Sequence, residues 1–368
     1  MRGSLKFAVL AAMLLVLPLA GVLLAGIPAS RYFEFPPRTL YIEHAPFSWI
    51  AFISYSLFIL AALGPFLVSA LRNRSQVHPK TPPANRFPWW GWCGVLLGLV
   101  SWILAWNRFP WFSKWPAHTF TPLWTAYILT VNGFTYRRTG TCLLLRQPLS
   151  FLLLFPASAG FWWFFEYLNR FVQNWAYTGV EFGPGEYFLF ATLSFSTVLP
   201  AFASTREWLA SFPALEPFRS FLPLRVPRPT RVALLTLVAA GIGLLLLGIY
   251  PEYLFPFLWI SPLLILVSLQ ALMKEAHVFS SIKHGDWRFV LSSALAALLC
   301  GVFWEMWNFY SLAKWVYHVP FVQRFQVFEM PLLGYAGYLP FGLECFVVAE
   351  WVLRRRSGGE QAGVGTTP

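Results

Sequence analysis

Apolar runs of about 20 residues recur along the chain, separated by short segments rich in Lys, Arg, Pro and Gly. Wound as an α-helix, a run of that length matches the hydrocarbon thickness of a bilayer. The pattern predicts ten spans, near residues 7–28, 47–71, 89–107, 121–135, 150–170, 187–205, 231–250, 256–273, 289–310 and 331–353. Several are short or contain Pro, and the stretch from Pro251 to Pro262 also reads as a re-entrant approach to the eighth. The first run follows Arg2 and Lys6, as in a signal peptide. It is longer than a usual signal core, and Ile27-Pro28-Ala29 is a poor small-x-small cleavage site. An uncleaved helix is expected there.

Composition agrees with the pattern. Hydrophobic residues make up 57% of the chain and charged residues 11%, where a soluble protein carries about 25%. A single soluble core cannot absorb that much apolar surface, so the expected partner is the lipid bilayer. The net charge of +12 would suggest nucleic acid in a soluble protein. Here most of the basic residues fall in alternate loops. Twenty of the 27 Lys and Arg lie in segments on the side of the two termini, and seven lie on the other. The positive-inside rule then places both termini in the cytoplasm, as expected for a bacterial inner-membrane protein. Nucleic acid is not an expected partner.

The chain also echoes itself. Phe109-Pro110 returns as Tyr250-Pro251, Pro122-Leu123 as Pro262-Leu263, and Leu199-Pro200 as Leu339-Pro340. Phe165-Glu166-Tyr167-Leu168-Asn169 returns as Trp304-Glu305-Met306-Trp307-Asn308, and Trp175-Ala176-Tyr177 as Trp315-Val316-Tyr317. All five pairs are offset by about 140 residues, as a duplication with small insertions would give. Four spans per repeat preserve orientation, so the repeats should be parallel. The expected architecture is all-α and polytopic: two parallel four-helix repeats preceded by a helix pair. Its parts are a two-helix unit with a basic linker (1–87), repeat one (88–208), a basic linker (209–228), repeat two (229–353) and a disordered tail (354–368).

Acidic residues are scarce, 15 in all, and Asp286 is the one aspartate. This excludes the Asp-rich motifs that hold magnesium diphosphates. The six histidines form no H-x-x-H or H-x-x-x-H pair, and the four cysteines no C-x-x-C. Neither a metal nor any other cofactor is expected. Most acids fall in loops or near span ends; Glu350 can pair with Arg354, and Glu329 is expected at the start of the last helix. Three need explaining.

Glu166/Asn169 and Glu305/Asn308 end the third span of each repeat as Glu-x-x-Asn, a spacing that shares a helix face. About 1.5 Å per residue puts each Glu roughly 25–30 Å from the cytoplasmic edge. Arg170, at i+4, is expected to neutralise Glu166; Glu305 has no such neighbour. Glu344 lies about 15 Å inside the cytoplasmic end of the last span, and intramembrane acids are functional candidates by default. Each can serve as proton donor or acceptor, with Asn169 and Asn308 positioning. Each can equally be a helix-packing residue bonded to a neighbour. Trp175, Tyr177, Trp315 and Tyr317 read as an interfacial aromatic belt or as the walls of a pocket for a lipid-soluble molecule.

Trp304-Glu305, Trp315-Val316-Tyr317, Pro340 and Glu344 together resemble the small integral-membrane lycopene-cyclase family, over about 50 residues of repeat two. The family's Pro-x-Glu-Glu motif is absent: Pro340-Phe341-Gly342-Leu343-Glu344 carries one acid at another spacing. The resemblance implies acid-initiated, metal-independent chemistry on a long apolar isoprenoid. Glu305 and Glu344 lie at different depths, so sharing one pocket requires a last helix bent at Pro340. The alternative is a non-enzymatic transporter, or a scaffold subunit of a membrane complex.

Overall fold

The computed structural model describes residues 2–73 and 85–362. The basic linker that ends the N-terminal unit falls largely outside these residues, as does the tail beyond Ala362. Over the described residues the chain is mostly helical, with fourteen α-helices and little sheet. In order they are α1 Arg2–Leu24, α2 Ser30–Phe33, α3 Trp49–Arg72, α4 Trp89–Trp106, α5 Phe120–Thr139, α6 Leu143–Arg146, α7 Pro148–Val172, α8 Pro184–Phe195, α9 Val198–Ala210, α10 Pro229–Leu246, α11 Pro251–Leu254, α12 Pro256–Leu272, α13 Arg288–Phe309 and α14 Tyr338–Ala362. Two short antiparallel pairs join β1 Trp175–Thr178 to β2 Lys314–Tyr317, and β3 Gln326–Val327 to β4 Met330–Pro331.

Proline sets many of the helix starts. Pro148, Pro184, Pro229 and Pro256 each open a helix, where the missing N–H costs nothing and the fixed φ suits the first turn. Among the described residues eight helical stretches are long and apolar enough to cross a bilayer. Two of the ten expected spans fall short of that measure. The apolar helix α12 has 17 residues, and α5 carries Asn132, Arg137 and Arg138 among its 20. In α5 the buried Asn132 is met internally: it donates to Ile128 O and Ser204 Oγ.

The span expected at 187–205 is broken in the middle, between α8 and α9. Ser158 of α7 repairs the break. Its hydroxyl donates to Phe195 O at 2.5 Å and accepts Leu199 N–H at 3.0 Å. A broken helix at bilayer depth survives only where its freed backbone groups find such partners. The last span also differs from expectation. Its helix starts at Tyr338 and runs through Ala362. Pro340 therefore sits in the first turn, where it bends nothing downstream. Glu329 lies before this helix and pairs with Lys314, so it does not face the helix N-terminus. The expected pair of Glu350 with Arg354 is present at 2.7 Å.

The core lies among α5, α7, α9, α13 and α14, with Trp124, Phe165, Leu199 and Phe341 fully buried. Helices come closest where side chains vanish. A Cβ on Gly342 of α14 would lie 2.2 Å from Ser293 O of α13. By contrast α3 buries almost nothing, and Ile50, Phe58 and Leu71 on it are exposed.

The start of α1 and the end of α14 share one face: Phe7 packs on Trp351, and Lys6 binds Glu275. On the opposite face the loops interlock. His44 binds Glu252 at 2.7 Å, Arg108 reaches Tyr310 O at 2.7 Å, and Ser48 N–H binds Phe321 O at 2.9 Å. The β1–β2 pair lies on this opposite face.

Candidate functional site

Strands β1 and β2 pair in the register Trp175↔Tyr317 and Tyr177↔Trp315, so the four aromatic residues form one small roof. Each strand is tied to the end of the helix before it by an asparagine. Asn169 Nδ2 donates to Trp175 O at 2.8 Å, and its Oδ1 accepts Asn174 N–H at 2.8 Å. Asn308 Nδ2 donates to Trp315 O at 2.7 Å, and its Oδ1 accepts Trp315 N–H at 2.9 Å. A primary amide has the donor and the acceptor that such a clamp needs.

Beneath the roof the two carboxylates meet aromatic donors. Glu166 Oε1 accepts from Tyr177 hydroxyl at 2.6 Å, Trp162 Nε1 at 3.0 Å and Trp175 Nε1 at 3.2 Å. Glu305 Oε1 accepts from the hydroxyls of Tyr338 at 2.6 Å and Tyr317 at 2.8 Å, and Trp315 Nε1 donates to Tyr317 at 2.9 Å. Glu305 Oε2 is buried and has no hydrogen-bond partner among the described residues.

The two stations differ for a steric reason. In the first, Trp162 reaches Glu166 from one turn earlier on α7. One turn before Glu305 stands Gly301, and the ring of Tyr338 from α14 fills the space its side chain would take. A Cβ on Gly301 would lie 2.5 Å from Tyr338 Cδ2. An indole N–H on the same helix is thus replaced by a phenol from a neighbouring one.

Arg170 makes no ion pair or hydrogen bond with Glu166 among the described residues, and of the expected i+4 neutralisation only a through-space charge interaction is present. Its guanidinium turns to the carbonyls of Tyr32 in α2 and Glu34 just after it. The indoles and the phenol occupy Glu166 Oε1, and the guanidinium is taken by the two carbonyls. Glu344 stands apart from both stations. It is fully buried in α14 and accepts Leu263 N–H at 3.2 Å, next to Pro262, which interrupts the hydrogen-bond ladder of α12.

A cavity of about 420 Å³ opens beneath the roof, and nearly half of its lining residues are aromatic. Trp175, Tyr177, Trp315 and Tyr317 all line it, as the sequence suggested for a pocket. Glu166, Glu305, Glu344, Asn169 and Asn308 do not. The carboxylates stand one layer back, behind the aromatic groups that bond them. Trp162, Trp259, Trp304, Tyr338 and Phe341 line the cavity and were not anticipated as a site. Trp162 had a signal, since i and i+4 share a helix face; Tyr338 reaches Glu305 from another helix and had none. Tyr55, Phe58 and Ile59 bring the lightly packed α3 to the wall.

Among the described residues no three His, Cys, Asp or Glu side chains group as metal ligands. Comparison with family models, curated proteins and solved structures returns no match.

Proposed function

We propose that this integral membrane protein takes a lipid-soluble, isoprenoid-like molecule from the bilayer into the aromatic cavity and acts on it by metal-independent proton transfer. The observation that carries this reading is the layered wall. Phenols that face the cavity are hydrogen-bonded behind to a buried carboxylate. A proton moving between ligand and Glu305 passes through Tyr338 or Tyr317: the phenol exchanges one proton with the ligand and another with Oε1. The aromatic faces suit an extended unsaturated chain or a cationic intermediate. The chemistry follows what the lycopene-cyclase resemblance implies, moved from Glu305 itself to the phenols in front of it. Glu344 lies outside this pathway.

The matched clamps at Asn169 and Asn308, and the pairing of β1 with β2, support an internal duplication of two parallel four-span repeats and a ten-span chain. The basic face would then lie in the cytoplasm, with the roof on the other side of a bacterial inner membrane.

A second reading is a non-enzymatic carrier or scaffold. The sealed position of both carboxylates favours it. Lipid extracts of a strain lacking the protein, of its parent, and of a strain carrying Glu305→Gln separate the two by mass spectrometry. The enzymatic reading expects the same lipid to vanish, and its precursor to accumulate, in both altered strains. An unchanged profile in both overturns it and leaves the carrier.

A further inference from the structure

A second cavity, of about 460 Å³, lies on the roof face beside the first. Val319 lines both. Between them Asn174 and His318 are tied through their backbones, with His318 N–H on Asn174 O at 2.7 Å. Asn174 is 2% exposed and lines the apolar cavity, and its Oδ1 has no partner among the described residues. An acceptor buried without a partner costs about 1–3 kcal/mol unless something donates to it. The polar groups of the second cavity divide into two sets. Gln173, Gln323 and His44 are fully engaged with loop backbone and Glu252. The imidazole of His318 and the carboxylate of Glu43 make no hydrogen bond within the described residues. No Lys or Arg lines this cavity.

We propose that the second cavity is a head-group site for an amphiphile whose chain lies in the apolar cavity, and that the head is uncharged and hydroxylated. This rests on the reading of the apolar cavity as a chain site. A carboxylate accepts hydroxyl protons, a neutral imidazole offers one donor and one acceptor, and Asn174 Oδ1 accepts one donor near the junction. Partial burial and the neighbouring His44 push the His318 imidazole down from its ordinary value, which keeps it neutral at pH 7. Without a cation in the wall, a phosphate head would meet Glu43 uncompensated. The depth also fits, since the second cavity sits among the loops and the aromatic one beneath the roof.

The test uses the full chain in phosphatidylcholine nanodiscs and follows quenching of tryptophan fluorescence by three probes: bromododecyl glucoside, bromododecyl phosphate and 1-bromododecane. The glucoside should saturate at about one-tenth the concentration of the other two, the gain expected of one or two hydrogen bonds. His318→Ala and Glu43→Gln should each raise the glucoside midpoint towards that of bromododecane. Both should leave bromododecane itself unchanged, which also reports that they fold. If glucoside and bromododecane saturate alike, or neither substitution moves the glucoside, the head-group site is wrong and the chain site stands. If phosphate wins, the charge argument is wrong. If no probe saturates, the chain site falls and the head-group site with it.

Discussion

Gly301 gives the sharpest test of the station around Glu305. An alanine Cβ at 301 would lie 2.5 Å from Cδ2 and Cε2 of Tyr338 and 2.8 Å from its Cγ. Carbon atoms are comfortable from about 3.5 Å, so the ring must retreat by about 1 Å. That motion pulls the phenol off Glu305. Overpacking of this kind costs about 1–3 kcal/mol, and a lost hydrogen bond adds about 1 kcal/mol. Against this, Gly→Ala inside a helix gains about 1 kcal/mol. Gly301→Ala should therefore destabilise the protein by about 1–3 kcal/mol. On a Tyr338→Ala background the obstacle is gone and only the helix gain is left, so the same substitution should stabilise by about 0.5–1 kcal/mol. Unfolding by dodecyl sulfate in mixed micelles, followed by far-UV circular dichroism, measures all four chains. The reasoning is refuted if Gly301→Ala stabilises the parent, or costs the same in both backgrounds.

Asn308→Ala removes the clamp on β2 and leaves both backbone groups of Trp315 unmet, so a loss of about 2–4 kcal/mol is expected; Asn107→Ala, whose amide is exposed, should cost under about 0.5 kcal/mol by the same unfolding assay. Gly342→Ala should push α14 from α13 and cost about 1–3 kcal/mol, whereas Gly160→Ala, with nothing within 4 Å of its Cβ, should cost nothing; equal losses would contradict the close approach. The hydrogen bond from Arg288 holds the Asp286 carboxyl below its ordinary 3.8, so its contribution to stability is complete above that pH and lost as pH falls through the lowered value. Asp286→Asn should thus be less stable than the parent at pH 6 and match it at about pH 2, and a gap that persists in acid would show that the ion pair is not its source. For orientation, Ser113→Cys on the roof face should react with an impermeant maleimide in intact cells, and Thr141→Cys only after permeabilisation; the reverse pattern inverts the topology.

Most of the long helices were legible because a bilayer span is a coarse signal: length and apolarity suffice for eight stretches among the described residues, while α5 and α12 are helices that fall short of that measure. The roof aromatics were legible because they recur at a common offset with Glu166 and Glu305, and acids are scarce enough in this chain to count singly. What escaped depends on the register between helices. Ser158 rejoining α8 to α9 could not be read from a serine in an apolar run. Helix spacing places Arg170 beside Glu166, but the Tyr32 and Glu34 carbonyls that take its guanidinium come from a stretch more than 130 residues away.

The exchange of Trp162 for Tyr338 is the deepest case, because it joins Gly301, Tyr338 and Glu305 across two helices. It also explains how two similar Glu-x-x-Asn segments give unlike stations. Glu166 is held by two indoles and one phenol, all on one oxygen. Glu305 is held by two phenols, each of which faces the cavity. An indole N–H can donate but cannot pass a proton on, whereas a phenol has both a proton and lone pairs on one atom. Removing one side chain at 301 therefore changes what the second station can do: it replaces a fixed donor with a group able to relay. On that argument Glu305 has two cavity-facing phenols able to relay, where Glu166 has Tyr177 alone, and the station around Glu305 is the one to disable first.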